Sequence, residues 1–177
     1  MLALFALVSL ASSGCGFNSI TENEASEGWR VAGTPLGEAQ EKLQEEFESD
    51  SGMGFSTGET TVSVDCNEGG ALDLTADVSF EGGAPTVAMT ADYNGCEDLQ
   101  VTVDGELDLT FPDGFPMGGS GEGETTKIRY VGELDFRGDV DGPCEIDMIS
   151  ESSGGSRPTY TGQLCGYDAS DILGSSF

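Results

Sequence analysis

From Glu59 to Leu164 the apolar residues of this chain recur at every second position, and a period of two is what a half-buried β-strand requires. Val62 and Val64 alternate with Thr61, Ser63 and Asp65, and Leu72, Leu74, Ala76, Val78 and Phe80 alternate with Asp73, Thr75, Asp77 and Ser79. The series continues through Val87, Met89, Ala91 and Tyr93, then Leu99, Val101, Val103, Leu107, Leu109 and Phe111, then Ile128, Tyr130, Leu134 and Phe136. Shorter runs surround Ile146 and Leu164. No helical period interrupts them. The pattern predicts seven strands, each with one apolar and one polar face, in an antiparallel meander.

Asp104-Gly105 has the chemistry of a hairpin turn, but a turn there would set Val103 opposite Glu106 and Thr102 opposite Leu107, mixing apolar and polar side chains on each face. The odd-numbered apolar series runs unbroken through Gly105, so this is one long strand with a glycine in its inward series. Gly132 holds the same place between Tyr130 and Leu134. Inward glycines in neighbouring strands predict a strongly curved sheet or partial barrel. The echo of "GALDL", "GELDL" and "GELDF" is strand chemistry without a fixed repeat length.

Before the strands, Leu36, Ala39, Leu43 and Phe47 recur at helical spacing, with acidic and amide residues on the other face. They predict one N-terminal amphipathic helix packed on the sheet. Residues 16–35 show no sustained period and read as a flexible tether, with Trp29 and Val31 docking on the domain. The domain then spans 36–165, and 166–177 form a C-terminal tail.

Residues 1–15 combine a short apolar run, Met1 to Leu10, with the small residues Ala11, Ser12, Ser13 and Gly14 and then Cys15. That is a signal peptide ending in a lipobox-like sequence, and it makes Cys15 the expected site of lipid attachment. Ser12 stands where leucine is usual, and no Lys or Arg precedes the apolar run, which fits a start site further upstream. The alternative is an ordinary signal peptide cut nearby, leaving Cys15 free or removed. The cysteine count favours lipidation: of five, Cys15 is the odd one, and Cys66, Cys96, Cys144 and Cys165 lie within the domain. Export makes disulfides their default state. Counting strand directions through the meander puts all four at one end, and pairs Cys66 with Cys96 and Cys144 with Cys165. A closed barrel would also allow Cys66 with Cys165.

The stretches "VDCNEGGALDL" and "YNGCEDLQVTVDGELDL" resemble those of uncharacterised bacterial cell-envelope lipoproteins that carry a cysteine-containing β-meander. The likeness covers roughly residues 60–111 and rests on turn chemistry. It implies an architecture and an envelope location, and no activity.

With 33 acidic and 6 basic residues, the formal charge is −27 at pH 7, which repels nucleic acid and anionic lipid alike. Membrane association then falls to the lipid anchor. Solubility, a saline habitat and weak divalent cation association are the three explanations of such acidity, in that order. The chain has no histidine, so Ser-His-Asp and Cys-His catalysis are excluded, and no cysteine spacing fits a zinc site. Asp73, Asp77, Asp104, Glu106, Asp108, Glu133 and Asp135 are expected to share the outer face, where a solvated surface is the simpler reading than a glycosidase pair. "DYNG" and "DVDG" begin like calcium loops but meet Cys96 and Pro143 at the fifth position. No metal or other cofactor is expected.

The Gly- and Pro-rich segment 112–124 carries Phe115 and Met117 and is longer than a hairpin needs, which makes it a candidate binding loop. Alternatively, both side chains fold back to plug the open end of the sheet. The whole reading is an exported, non-catalytic binding or structural protein, lipid-anchored in a bacterial cell envelope at the outer membrane, whose protein or small-molecule partner is unknown. Its alternatives are a carbohydrate-active enzyme using surface carboxylates and a carrier of a small hydrophobic ligand.

Overall fold

A computed structural model describes residues 20–50, 57–81, 84–114, 125–153 and 157–174. Its first element is a long helix, α1 (Glu22–Asp50). The strands follow in chain order: β1 (Gly58–Asp65), β2 (Gly69–Glu81), β3 (Ala84–Asp98), β4 (Val101–Thr110), β5 (Thr125–Gly138), β6 (Gly142–Ser153), β7 (Thr159–Leu164) and β8 (Tyr167–Asp168). A one-turn helix, α2 (Ala169–Leu173), closes the described chain. The spatial order is the sequence order, every pairing is antiparallel, and α1 packs on one face.

The alternation sorts the faces. Leu72, Leu74, Leu107, Leu109, Leu134, Phe136, Ile146 and Met148 are buried beneath the helices, while the residues between them face outward. The interruption at Asp104-Gly105 is settled as the register argument requires, because β4 runs through it. Two side chains of the inward series depart from expectation: Phe80 is 46% exposed near the end of β2, and Leu99 is 45% exposed.

Leu99 is not in a strand. With Gln100 it forms a two-residue hairpin turn, both residues at positive φ (51° and 64°), as the twist-matched turn of a hairpin demands. Asn94-Gly95, which looks like a turn, is instead a bulge within β3, where the Gly95 amide donates to Asp104 Oδ1 at 2.9 Å.

The sheet corrects the expectation of strong curvature. Among the described residues eight strands are present rather than seven, β1 and β8 are separate edges, and the sheet is neither closed nor strongly curled. The inward glycines serve a local purpose. Gly105 lies opposite Leu134, and Gly132 opposite Leu107. A Cβ at Gly105 would stand 2.4 Å from the Glu133 carbonyl oxygen, and one at Gly132 2.2 Å from that of Glu106. Each glycine, at positive φ, admits the neighbouring backbone and leaves room for the leucine opposite. That relieves crowding at one strand pair without curling the sheet.

The expected tether is also corrected from residue 22 onward, because α1 starts well before Leu36. Thr21 and Glu24 form a reciprocal capping box: the Thr21 amide donates to Glu24 Oε2 at 2.7 Å, and the Glu24 amide to Thr21 Oγ1 at 3.4 Å. The bond holds the Glu24 carboxyl below its ordinary pKa. Ala25, Trp29, Ala32, Leu36, Ala39 and Leu43 then make one continuous buried stripe. Pro35 lies inside the helix and cannot donate its backbone bond. Hydroxyls support the carbonyls of that turn: Thr34 Oγ1 donates to Arg30 O at 3.0 Å, and Tyr93 from β3 donates to Ala32 O at 2.9 Å.

The expected tail likewise begins as structure. Asp168 caps α2 by accepting from the Ser170 amide at 2.9 Å, Ala169, Ile172 and Leu173 are buried, and the Tyr167 hydroxyl donates to Ile20 O at 3.0 Å. The end of the chain is thereby tied to the start of α1. Among the described residues no helix is long and apolar enough to cross a membrane.

Candidate functional site

The cysteines join as the strand-direction count pairs them, Cys66 with Cys96 and Cys144 with Cys165, all at one end of the sheet. Cys144 and Cys165 sit at neighbouring strands, with the Cys165 amide donating to Glu145 O at 2.9 Å. Cys66 reaches past the start of β2 to the bulge in β3, where the Glu68 amide donates to Glu97 O at 2.9 Å. The bonds indicate an oxidising, extracytoplasmic environment. Cys15, Phe115 and Met117 lie outside the described residues.

The outer face concentrates the acidity more sharply than the sequence suggests. Asp73 lies directly opposite Asp92, Asp92 opposite Glu106, Glu106 opposite Glu133, and Glu133 opposite Glu145. Five carboxylates therefore form one straight row across five strands, with neighbouring strands about 4.8 Å apart. Asp92, Glu106, Glu133 and Glu145 are exposed to solvent. Asp92 and Glu145 were not among the residues anticipated for this face; their alternation with Ala91, Tyr93, Cys144 and Ile146 carries the signal. The basic residues of β5 pair elsewhere. Arg129 holds Asp147 with three bonds of 3.0 to 3.1 Å, Lys127 pairs with Asp113 at 3.0 Å, and Arg137 binds Asp104 and lies 3.7 Å from Asp135. Asp113 and Glu151 raise the pKa of the Lys127 amine. Like charges directly opposite one another destabilise a sheet, so the row is a structural cost.

"DYNG" falls within β3 rather than in a loop, and no group of three acidic or cysteine side chains among the described residues is arranged to hold a metal ion.

On the inner face, Trp29 packs edge-on against Tyr130, ring centroids 5.5 Å apart, and Ser150 Oγ donates to the Tyr130 hydroxyl at 3.4 Å. Burial raises the pKa of Tyr130, against the effect of the Ser150 bond, and burial does the same at Tyr93. Leu43 is buried and Phe47 packs against the core. The cavity beside Cys66 and Cys96 measures only about 10 Å³, too small for a hydrophobic ligand.

Among the described residues no strand pairs with the outer side of β1. Between α1 and the β1 edge runs a groove of about 470 Å³ lined by Lys42, Glu45, Glu46, Thr61, Val62 and Ser63, and Lys42 Nζ donates to Ser63 O at 3.2 Å. No sequence signal marks this groove, because an edge is defined by strand order rather than by any one strand. Compared with known proteins, the chain matches no family model, no curated protein and no solved structure.

Proposed function

We infer that the chain is a lipid-anchored protein of the bacterial cell envelope with a non-catalytic binding or structural role. The observation that carries this reading is the cysteine arrangement. Four cysteines are joined within the domain, and the fifth, Cys15, follows an apolar run and small residues. The resemblance to envelope lipoproteins supports the same location, and the outer membrane is the anchoring site this reading favours.

The acidic face supports a non-catalytic role. Carboxylates serve as a glycosidase acid and base when a partly dry, concave site separates their pKa values, whereas this row stands on a water-washed sheet. Weak, delocalised association with divalent cations is the binding such a face offers.

Intact-mass analysis of protein extracted from membranes tests the anchor: a diacyl or triacyl adduct on a chain beginning at Cys15 is expected, and Cys15→Ser should release the protein to the aqueous phase. An unmodified wild-type chain in the aqueous phase would overturn it. Hydrolysis of an oligosaccharide that is lost on substituting two outer-face carboxylates would overturn the non-catalytic role.

A further inference from the structure

The two edges of the sheet are guarded very differently. At one edge, β8 pairs only with Gln163 and Leu164 of the six-residue β7 and leads directly into α2, which packs against β7. At the other, β1 presents eight residues, and the side chain on its backbone is that of Lys42. Edge strands expose a row of unpaired donors and acceptors, and short strands or covering helices are the usual means of blocking them.

Two bonds fix which groups β1 offers. The Cys66 amide donates to Gly70 O toward β2, while Ser63 O accepts from Lys42 on the open side. Because backbone direction alternates along a strand, the amides and carbonyls of Glu59, Thr61, Ser63 and Asp65 point outward. The groove beside them has the volume to receive side chains on the helix side of an added strand.

The charge around this edge selects the partner. Glu45 and Glu46 line the groove, Glu38 and Asp65 line the small cavity beside Cys66 and Cys96, and Glu59 belongs to the edge itself. Copies of this chain each carry −27, so edge-to-edge pairing of two copies is opposed by their charge. A cationic strand is attracted.

We propose that the β1 edge is a docking site for an extended, Lys- or Arg-bearing segment of a partner protein, added as a ninth strand beside β1. Main-chain bonds to Thr61 and Ser63 supply the pairing, and the Lys42 amine yields Ser63 O to the incoming amide. The acidic flanks set the preference for basic side chains and speed the encounter. The inference rests on the non-catalytic binding role above.

The test uses the full chain and a fluorescent nine-residue peptide alternating Lys with Thr and Val, at about 0.15 M salt, where long-range attraction is largely screened. The peptide is expected to bind, and Thr61→Pro to weaken it at least tenfold, because proline removes an outward N–H and leaves the main-chain bonds to β2, giving up only the Thr61–Thr75 hydroxyl bond there. N-methylation at alternate peptide amides and replacement of its lysines by glutamates should each weaken binding as strongly. The N-methylated peptide decides the matter if Thr61→Pro does not fold.

Failure of the parent peptide to bind would overturn the proposal. So would unchanged affinity in folded Thr61→Pro or for the N-methylated peptide, which would put the peptide on the acidic outer face. A dimer that Thr61→Pro dissociates would make a second copy the occupant and overturn it as well. None of these outcomes alters the mass of the N-terminus or the oligosaccharide assay, so the reading beneath the proposal fails or stands separately.

Discussion

Glu106 and Leu107 are adjacent in β4, yet they belong to opposite regimes. Leu107 is fully buried between Ala91 and the backbone-only Gly132, in a space shaped for it. Glu106 is exposed between two carboxylates, Asp92 and Glu133. The inner face is optimised for packing, and the outer face is held in register by the inner one despite its own repulsion. The stability of this sheet therefore lies on one side, and the other side is free to carry charge for solubility or binding.

The largest effect that would break this contrast is at Leu107. Leu107→Ala should cost about 2–5 kcal/mol, since its neighbours are held by the β4 and β5 backbones and cannot collapse into the space. Urea unfolding measures it, and a loss below about 1 kcal/mol would show an inner face less tightly packed than described. Next in size, Tyr93→Phe removes the hydroxyl that bonds Ala32 O in the proline-bearing turn of α1 and should cost about 1–2 kcal/mol. An unchanged midpoint would mean that the bond adds nothing to α1 docking.

On the outer face the sign reverses. Glu106→Thr removes the middle charge of the row, adds a β-branched residue suited to a strand, and should gain up to about 1 kcal/mol at low salt. A loss of stability would show that the row is held by a bound cation rather than merely tolerated.

How much of this was legible in the sequence follows the same division. A period of two needs no long-range information, so the strand faces could be read residue by residue, and the direction of each strand then placed the cysteines at one end. The first half of α1 was obscured by composition. Gly28, Gly33 and Pro35 lower helix propensity, although Thr21-x-x-Glu24 and the spacing of Ala25, Trp29 and Ala32 carry a helix signal. The Leu99-Gln100 turn carries no local signal because neither residue favours positive φ, and Asn94-Gly95 nearby has the stronger turn chemistry. The acidic row was half visible: the face of each carboxylate follows from alternation, but which carboxylates stand opposite one another depends on register, which bulges shift. The open β1 edge depends on the order of all eight strands, and no local pattern encodes that.

The smallest effect sharpens the account of the outer face most, because it separates screening from binding. Carboxylates carried on strands about 4.8 Å apart lie well inside the Debye length, which falls from about 30 Å at 0.01 M salt to about 10 Å at 0.1 M. Added salt therefore leaves neighbours in the row partly unscreened, while it removes the repulsion summed over the distant charges of the chain. A modest rise in melting temperature is expected, nearly the same for sodium chloride and calcium chloride matched in ionic strength, with a small excess for calcium from condensation on the face. A specific site behaves otherwise. Binding to the folded state alone adds RT ln(1 + [L]/Kd), which takes effect near Kd and then grows only logarithmically. A large rise at micromolar calcium, reversed by chelator and not given by sodium, would overturn weak association. The row from Asp73 to Glu145 would then be a calcium array rather than a solvated face.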